Sequence, residues 1–234
     1  MSTIADNIAL VQTRIQAAAL AAQRDANSVH LLAVSKTKPA EALREAYAAG
    51  IRDFGENYLQ EALGKQLELA DLPLSWHFIG PIQSNKTRAI AENFAWVHSV
   101  DRLKIAQRLS EQRPAELPPL NICIQVNVSG EASKSGCTPA DLPALASAIN
   151  ALPRLKLRGL MAIPEPTEDR AVQDAAFAAV QHLQASLNLS LDTLSMGMSH
   201  DLESAIAMGA TWVRIGTALF GARDYGHMAS PERG

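Results

Sequence analysis

Lys36 closes the apolar run Leu31-Leu32-Ala33-Val34, so its side chain leaves a buried segment. A lysine in apolar surroundings disfavours its ammonium form, and the neutral amine can add to a carbonyl to give a Schiff base. The same placement also suits a lysine that carries its charge out to solvent along an apolar stem. A second group of residues could hold a phosphate. Gly197 and Ser199 stand in SMGMSHD, and Gly216-Thr217 follow TWVRI. Glycines let backbone N–H groups approach an anion, and the hydroxyls add donors. Ordinary helix capping by Ser199 and a tight turn at Gly216 would use the same residues, and Asp201 and Glu203 nearby would repel an anion unless they point away. Arg214 is the third candidate, a guanidinium within the apolar Trp212-Val213-Ile215 run. Once buried it requires an acceptor, either a carboxylate such as Glu56 or an atom of a ligand.

Whether these groups meet depends on the elements that carry them. The 234 residues are 47% hydrophobic and 19% charged, a globular composition of one large or two small domains. Twenty-one Lys and Arg against 24 Asp and Glu give a net charge of −3, and only 5% of residues are aromatic. A basic, base-stacking nucleic-acid binder is not expected from this balance. Cys123 and Cys137 form neither a CxxC pair nor a disulfide framework, as in a reducing compartment, and no metal site is expected. Asp6, Gln12, Arg14 and Gln16 interrupt the alanine-rich N-terminus, which reads as an amphipathic helix with Ile4, Ile8, Val11 and Ile15 on one face, not as a signal or membrane segment. A soluble, cytoplasmic protein is expected.

Beyond that helix the chain alternates. Short apolar or β-branched runs at 30–35, 50–54, 75–79, 95–99, 121–126, 157–163, 191–195 and 211–215 predict strands. Stretches with helical spacing follow nearly all of them, at 40–49, 58–70, 85–92, 102–111, 140–151, 171–187 and 201–208. Thr138-Pro139, Asp101 and Ser199 stand where helices should start, and Gly50 and Gly209 where they should stop. Eight such units with no GxGxxG predict a single closed (β/α)8 TIM barrel spanning residues 1–224 and preceded by the extra helix. Residues 225–234 read as a frayed tail.

In a barrel of parallel strands the working residues gather at the C-terminal ends of the strands. Lys36, Glu56 and Asn57, His77, Ser199, Arg214, and Gly216-Thr217 all lie at or near such positions. An amine, a phosphate cradle and a buried arginine at one mouth match pyridoxal 5′-phosphate, which offers an aldehyde, a phosphate and a ring nitrogen. A phosphosugar aldolase or isomerase would use a similar set. The motifs VSKTKP, FGENYLQE, HFIGPIQSNK, VNVSGEASKSG, RGLMAI and SMGMSHDLESAIAMGATWVRIGTALFG together resemble the pyridoxal phosphate homeostasis proteins, small relatives of the alanine racemase N-terminal barrel.

The resemblance covers Val34 to Tyr225. It implies a Schiff base between pyridoxal phosphate and Lys36, with Arg214 facing the pyridine nitrogen. It also implies that Ser199, Gly216 and Thr217 hold the phosphate while Asn57 and His77 line the ring side. Gln83, Asn85, Lys86, Glu131 and Lys134 would shape the mouth, or serve only as helix starts and solvated loops. The implied role is a non-enzymatic protein that buffers or delivers the cofactor to recipient pyridoxal-phosphate enzymes. The alternative is a racemase-like enzyme acting on amino acids. A fixed positive charge at Arg214 beside the ring nitrogen opposes its protonation and weakens the electron sink, which handicaps carbanion chemistry, although a racemase-like barrel tolerates this with two opposed bases. The second base of the racemases comes from an additional domain and a partner subunit, which this sequence is not expected to supply; a monomer is the corresponding expectation.

Overall fold

The structure, a computed structural model, describes residues 2–131 and 135–222. Lys134, Tyr225 and the expected tail at 225–234 lie outside them. Helix α1, Ile4–Ala21, starts at a capping box: Thr3 Oγ1 accepts from Asp6 N–H and the Asp6 carboxylate accepts from Thr3 N–H. Its apolar face buries Ile8, Val11, Ile15 and Ala19.

Eight parallel strands then close a barrel in sequence order, each but the last leading into a helix of the outer layer: β1 His30–Val34, β2 Asp53–Glu56, β3 Ser75–Phe78, β4 Trp96–Val100, β5 Leu120–Gln125, β6 Leu155–Met161, β7 Thr193–Ser195 and β8 Trp212–Ile215. Pairing of β1 with both β2 and β8 closes the ring. The (β/α)8 reading of the sequence is thus the observed fold. The outer helices are α2 Ala40–Ala48, α3 Leu59–Glu68, α4 Thr87–Asn93, α5 Leu103–Gln112, α6 Leu142–Asn150, α7 Arg170–Ser186 and α8 Leu202–Ala207. A short α9, Thr217–Phe220, follows β8, and α1 packs on α2, α8 and α9.

Strand periodicity sorts the core into two parts. Leu32, Trp96, Cys123, Met161 and Trp212 fill the barrel interior together with Ile79. The larger cluster, including Phe54, Ile122, Leu160 and Val213, lies between the sheet and the helices. Cys123 sits in the first and Cys137 in the second; burial pushes their thiols up to about 12 and about 11, so neither is a nucleophile at neutral pH.

Several boundaries differ from the sequence reading for local reasons. Residues 50–52 are not strand. Gly50, at φ 102°, ends α2, and Ile51 N–H bonds back to Ala46 O while its side chain is buried, so β2 starts at Asp53 and runs to Glu56. Thr138 Oγ1 accepts from Asp141 N–H in a turn that precedes α6. Asp101 makes no cap for α5, whose first helical residue is Leu103. Ser199 does not cap α8 either. Asp201 precedes that helix, and its carboxylate accepts from Met198 N–H at 2.6 Å.

Candidate functional site

At the C-terminal mouth a cavity of about 230 Å³ is bounded by residues from several strand ends. Lys36 reaches it from β1 with the same parity as Leu32 and Val34, the inward-facing residues of that strand. Asn57, just after β2, lines it, as do Arg214 from β8 and Ser199, Gly216 and Thr217 from the loops after β7 and β8. Six of the seven residues singled out as cofactor contacts therefore share one cavity.

Arg214 is 5% exposed. Its Nη1 donates to Ser195 Oγ at 2.8 Å and its Nη2 to Ala162 O at 2.9 Å, and among the described residues no carboxylate pairs with it. Burial pulls its pKa down to about 10, against a raising influence of Asp201, so it stays charged at neutral pH. Glu56, named as a possible partner, is on the other side of the barrel wall. A Cβ at Gly55 would meet Leu32 and Ile79 inside the barrel, so Glu56 faces outward, where Lys65 of α3 pairs with it at 2.7 Å.

The acidic residues beside the loop after β7 are accounted for. Glu203 turns to α1 and pairs with Arg14 at 2.8 Å; Asp201 is 6% exposed and engaged with Met198 N–H. Ser199, released from capping, remains on the cavity wall.

His77 is the exception among the expected contacts, because it does not line the cavity. It stands in the barrel interior, stacked on Trp96 at 5.4 Å, within a hydrogen-bonded column. Arg214 Nη1 donates to Ser195 Oγ, which is 2.7 Å from His98 Nδ1; His98 Nε2 is 2.9 Å from His77 Nδ1, and His77 Nε2 is 2.9 Å from Asp53 Oδ1. A guanidinium only donates and an ionised carboxylate only accepts. With both imidazoles neutral, every donor therefore points toward Asp53: Ser195 O–H to His98, His98 Nε2–H to His77, and His77 Nε2–H to Asp53. Burial holds His77 below its ordinary pKa, and holds His98 well below, where the neighbouring His77 ring and the Arg214 charge further disfavour a proton. Asp53 opens β2 at the N-terminal end of the barrel, so the column runs from the far end to the guanidinium at the mouth.

The structure also brings in His200, not singled out from sequence, and Lys38, which the sequence offers only as the attachment lysine next in line after Lys36. Both line the cavity. His200 sits in a run read as a helix start, and Lys38 in the turn after β1, so neither carried a signal beyond position. Gly80 has a strict role: a Cβ there would stand 2.3 Å from Asn57 O. Gln83, Asn85 and Lys86 lie outside the cavity, the latter two in a 3-10 turn at Ser84–Lys86, and Glu131 O accepts from Asn127 Nδ2 at 2.7 Å.

The protein is thus a parallel (β/α)8 barrel with a lysine, an arginine and a hydroxyl-glycine wall at its mouth. The family model "Alanine racemase, N-terminal domain" matches residues 3–224. The pyridoxal phosphate homeostasis protein of Pseudomonas aeruginosa is 78% identical over 230 residues, covering 98% of this chain and 100% of the relative. The protein of the same name from Escherichia coli is 54% identical over 231 residues, covering 96% and 99%. Among solved structures, PipY of Synechococcus elongatus with pyridoxal phosphate bound is 43% identical, with a TM-score of 0.84 over 94% of this chain and 100% of that one. The chain belongs to the pyridoxal phosphate homeostasis protein family, within the alanine racemase N-terminal domain family.

Proposed function

We propose that this protein binds pyridoxal 5′-phosphate reversibly at the barrel mouth, through a Schiff base with Lys36, and acts as a non-enzymatic carrier that buffers the cofactor or delivers it to recipient enzymes. The observation that carries this reading is the convergence of Lys36, Arg214, Ser199, Gly216 and Thr217 on one cavity. The PLP-bound PipY structure and the names of the relatives support it. So do two details of the site. Among the described residues Asn57 Oδ1 is buried with no hydrogen-bond partner, an acceptor open to a ligand on the wall. A Cβ at Gly216 would come within 3.2 Å of Val34 O, so glycine lets the turn after β8 close beside β1.

When bound, the cofactor supplies an aldehyde that condenses with an amine and releases one water. Lys36 provides the amine. Ser199 and Thr217 hydroxyls, with backbone N–H groups near Gly216, hold the phosphate. Arg214 donates toward the ring nitrogen and, being charged, keeps a proton off it. That last effect weakens the electron sink and so handicaps loss of the Cα proton from an amino acid unless two opposed bases compensate, which is in keeping with a carrier.

A racemase-like activity is the second reading, and His200 favours it. It lines the same cavity as Lys36, and a racemisation needs two bases, one on each face of the reacting carbon. Two measurements separate the readings. Titration of the protein with pyridoxal phosphate should give a saturable visible absorption band that Lys36→Ala lacks. The loaded protein in deuterium oxide should leave the Cα proton of alanine and other amino acids unexchanged. Exchange at a useful turnover rate would replace the carrier with the enzyme, and no band would remove the cofactor.

A further inference from the structure

Both chain neighbours of Lys36 are tied to one buried ion cluster. Ser35 Oγ donates to Glu56 Oε1 at 2.7 Å. Lys65 Nζ donates to Ser35 O at 2.6 Å, to Glu56 Oε1 at 2.7 Å and to Glu61 Oε1 at 2.6 Å. On the other side of Lys36, Thr37 N–H donates to the same Glu61 Oε1. The three donors of the ammonium thus meet three acceptors, and Glu61 bridges the cluster to residue 37. Glu56 is fully buried and Lys65 is 5% exposed.

The backbone here is under strain. Thr37 has φ 64°, a left-handed conformation that a β-branched residue rarely adopts. Such a conformation persists where surrounding bonds over-determine it. Two bonds do so: Lys38 N–H closes a turn onto Ser35 O, and Glu61 captures Thr37 N–H. A buried ion cluster adds little net stability over apolar side chains of the same size. What this cluster does is geometric, because it fixes residues 35 and 37 and so the direction in which Lys36 leaves the strand.

We propose that Glu61, braced by Lys65 and Glu56, is a positioning residue for Lys36. By holding the strained turn after β1 it aims the lysine amine into the cavity. The proposal rests on the reading of Lys36 as the attachment residue. It applies to the free protein as well as the loaded one, since every contact in it belongs to the chain.

The test uses pyridoxal 5′-phosphate and the full chain. Rates are read from the visible band by stopped flow, and exchange of the Thr37 amide is followed by NMR in the ligand-free protein. Glu61→Ala should slow attachment on the order of tenfold or more, the scale at which misplaced reacting groups lose rate. It should also expose the Thr37 amide to fast exchange. Glycine takes a positive φ without help. The Glu61→Ala/Thr37→Gly double variant should therefore recover to within about twofold of Thr37→Gly alone, which a general loss of stability would not produce. Glu61→Gln keeps an acceptor oxygen and should fall between; if Glu61→Ala does not fold, Glu61→Gln with and without Thr37→Gly carries the same comparison. A wild-type rate in Glu61→Ala, or no recovery in the double variant, overturns the proposal. If the wild-type protein gives no band, the attachment reading fails. The amide still decides the clamp in that case: fast exchange in Glu61→Ala supports it, and unchanged protection overturns it.

Discussion

Arg214 shows how much one side chain's role depends on residues far from it in sequence. Its donors are fixed by Ser195 and Ala162, and the chain of bonds behind Ser195 passes through two neutral imidazoles to Asp53. That column has a consequence for stability. Burial holds His77 and His98 below 6.5, so as the pH falls through that value the unfolded chain takes up protons that the native chain refuses. The column's stability is therefore complete above about pH 6.5 and is lost below it. Glu56 works in the opposite sense: burial raises it above 4.5, and its contribution fades as the pH rises from there. Thermal unfolding should show lower stability at pH 5.5 than at 7.5. His98→Gln should shrink that difference, and an equal difference in variant and wild type would contradict the assignment. From sequence, Lys36, Arg214, Asn57, Ser199, Gly216 and Thr217 could be placed together because each stands at or just past a strand's C-terminal end. His77 is grouped with them in the sequence reading but does not line the cavity, because a mid-strand residue carries no sign of which end it serves. Its partners Asp53 and His98 come from other strands.

At the scale of elements, periodicity located all eight strands and the helices between them. It misplaced the start of β2 because Gly50-Ile51 has the composition of a strand, whereas Gly50 at φ 102° is a helix stop and Ile51 packs behind it. Ser199 and Asp201 show the same limit: both can cap, and the geometry gives the position before α8 to Asp201. The close approach at Gly80 was not legible at all, since it depends on where the β2 end passes the β3 end. Its consequence is specific. A Cβ at Gly80 would stand 2.3 Å from Asn57 O and 2.8 Å from Asn57 Cα, both backbone atoms that must move. Gly80→Ala should destabilise the fold by about 1–3 kcal/mol. It should also weaken pyridoxal phosphate binding, because Asn57 is displaced from the cavity wall. Calorimetry for the first and the absorption titration for the second would check this, and unchanged values in both would show that Asn57 does not depend on that contact.

For the molecule as a whole, the barrel separates two tasks. Its outer layer holds the ion cluster of Glu56, Glu61 and Lys65, which grips the chain around Lys36. Its interior holds the apolar plug of Trp96, Trp212, Leu32 and Met161 and the polar column that orients Arg214. The mouth receives the ends of both systems. Among the described residues no helix is long and apolar enough to cross a membrane. In the function proposed above, the mouth captures pyridoxal phosphate on Lys36. Borohydride reduction of the loaded protein, followed by peptide mass mapping, tests it most directly. A pyridoxyl-phosphate mass on the peptide containing Lys36, localised to that residue and absent in Lys36→Ala, is the expected result; a label on Lys38 or Lys86 instead, or no label, would contradict it.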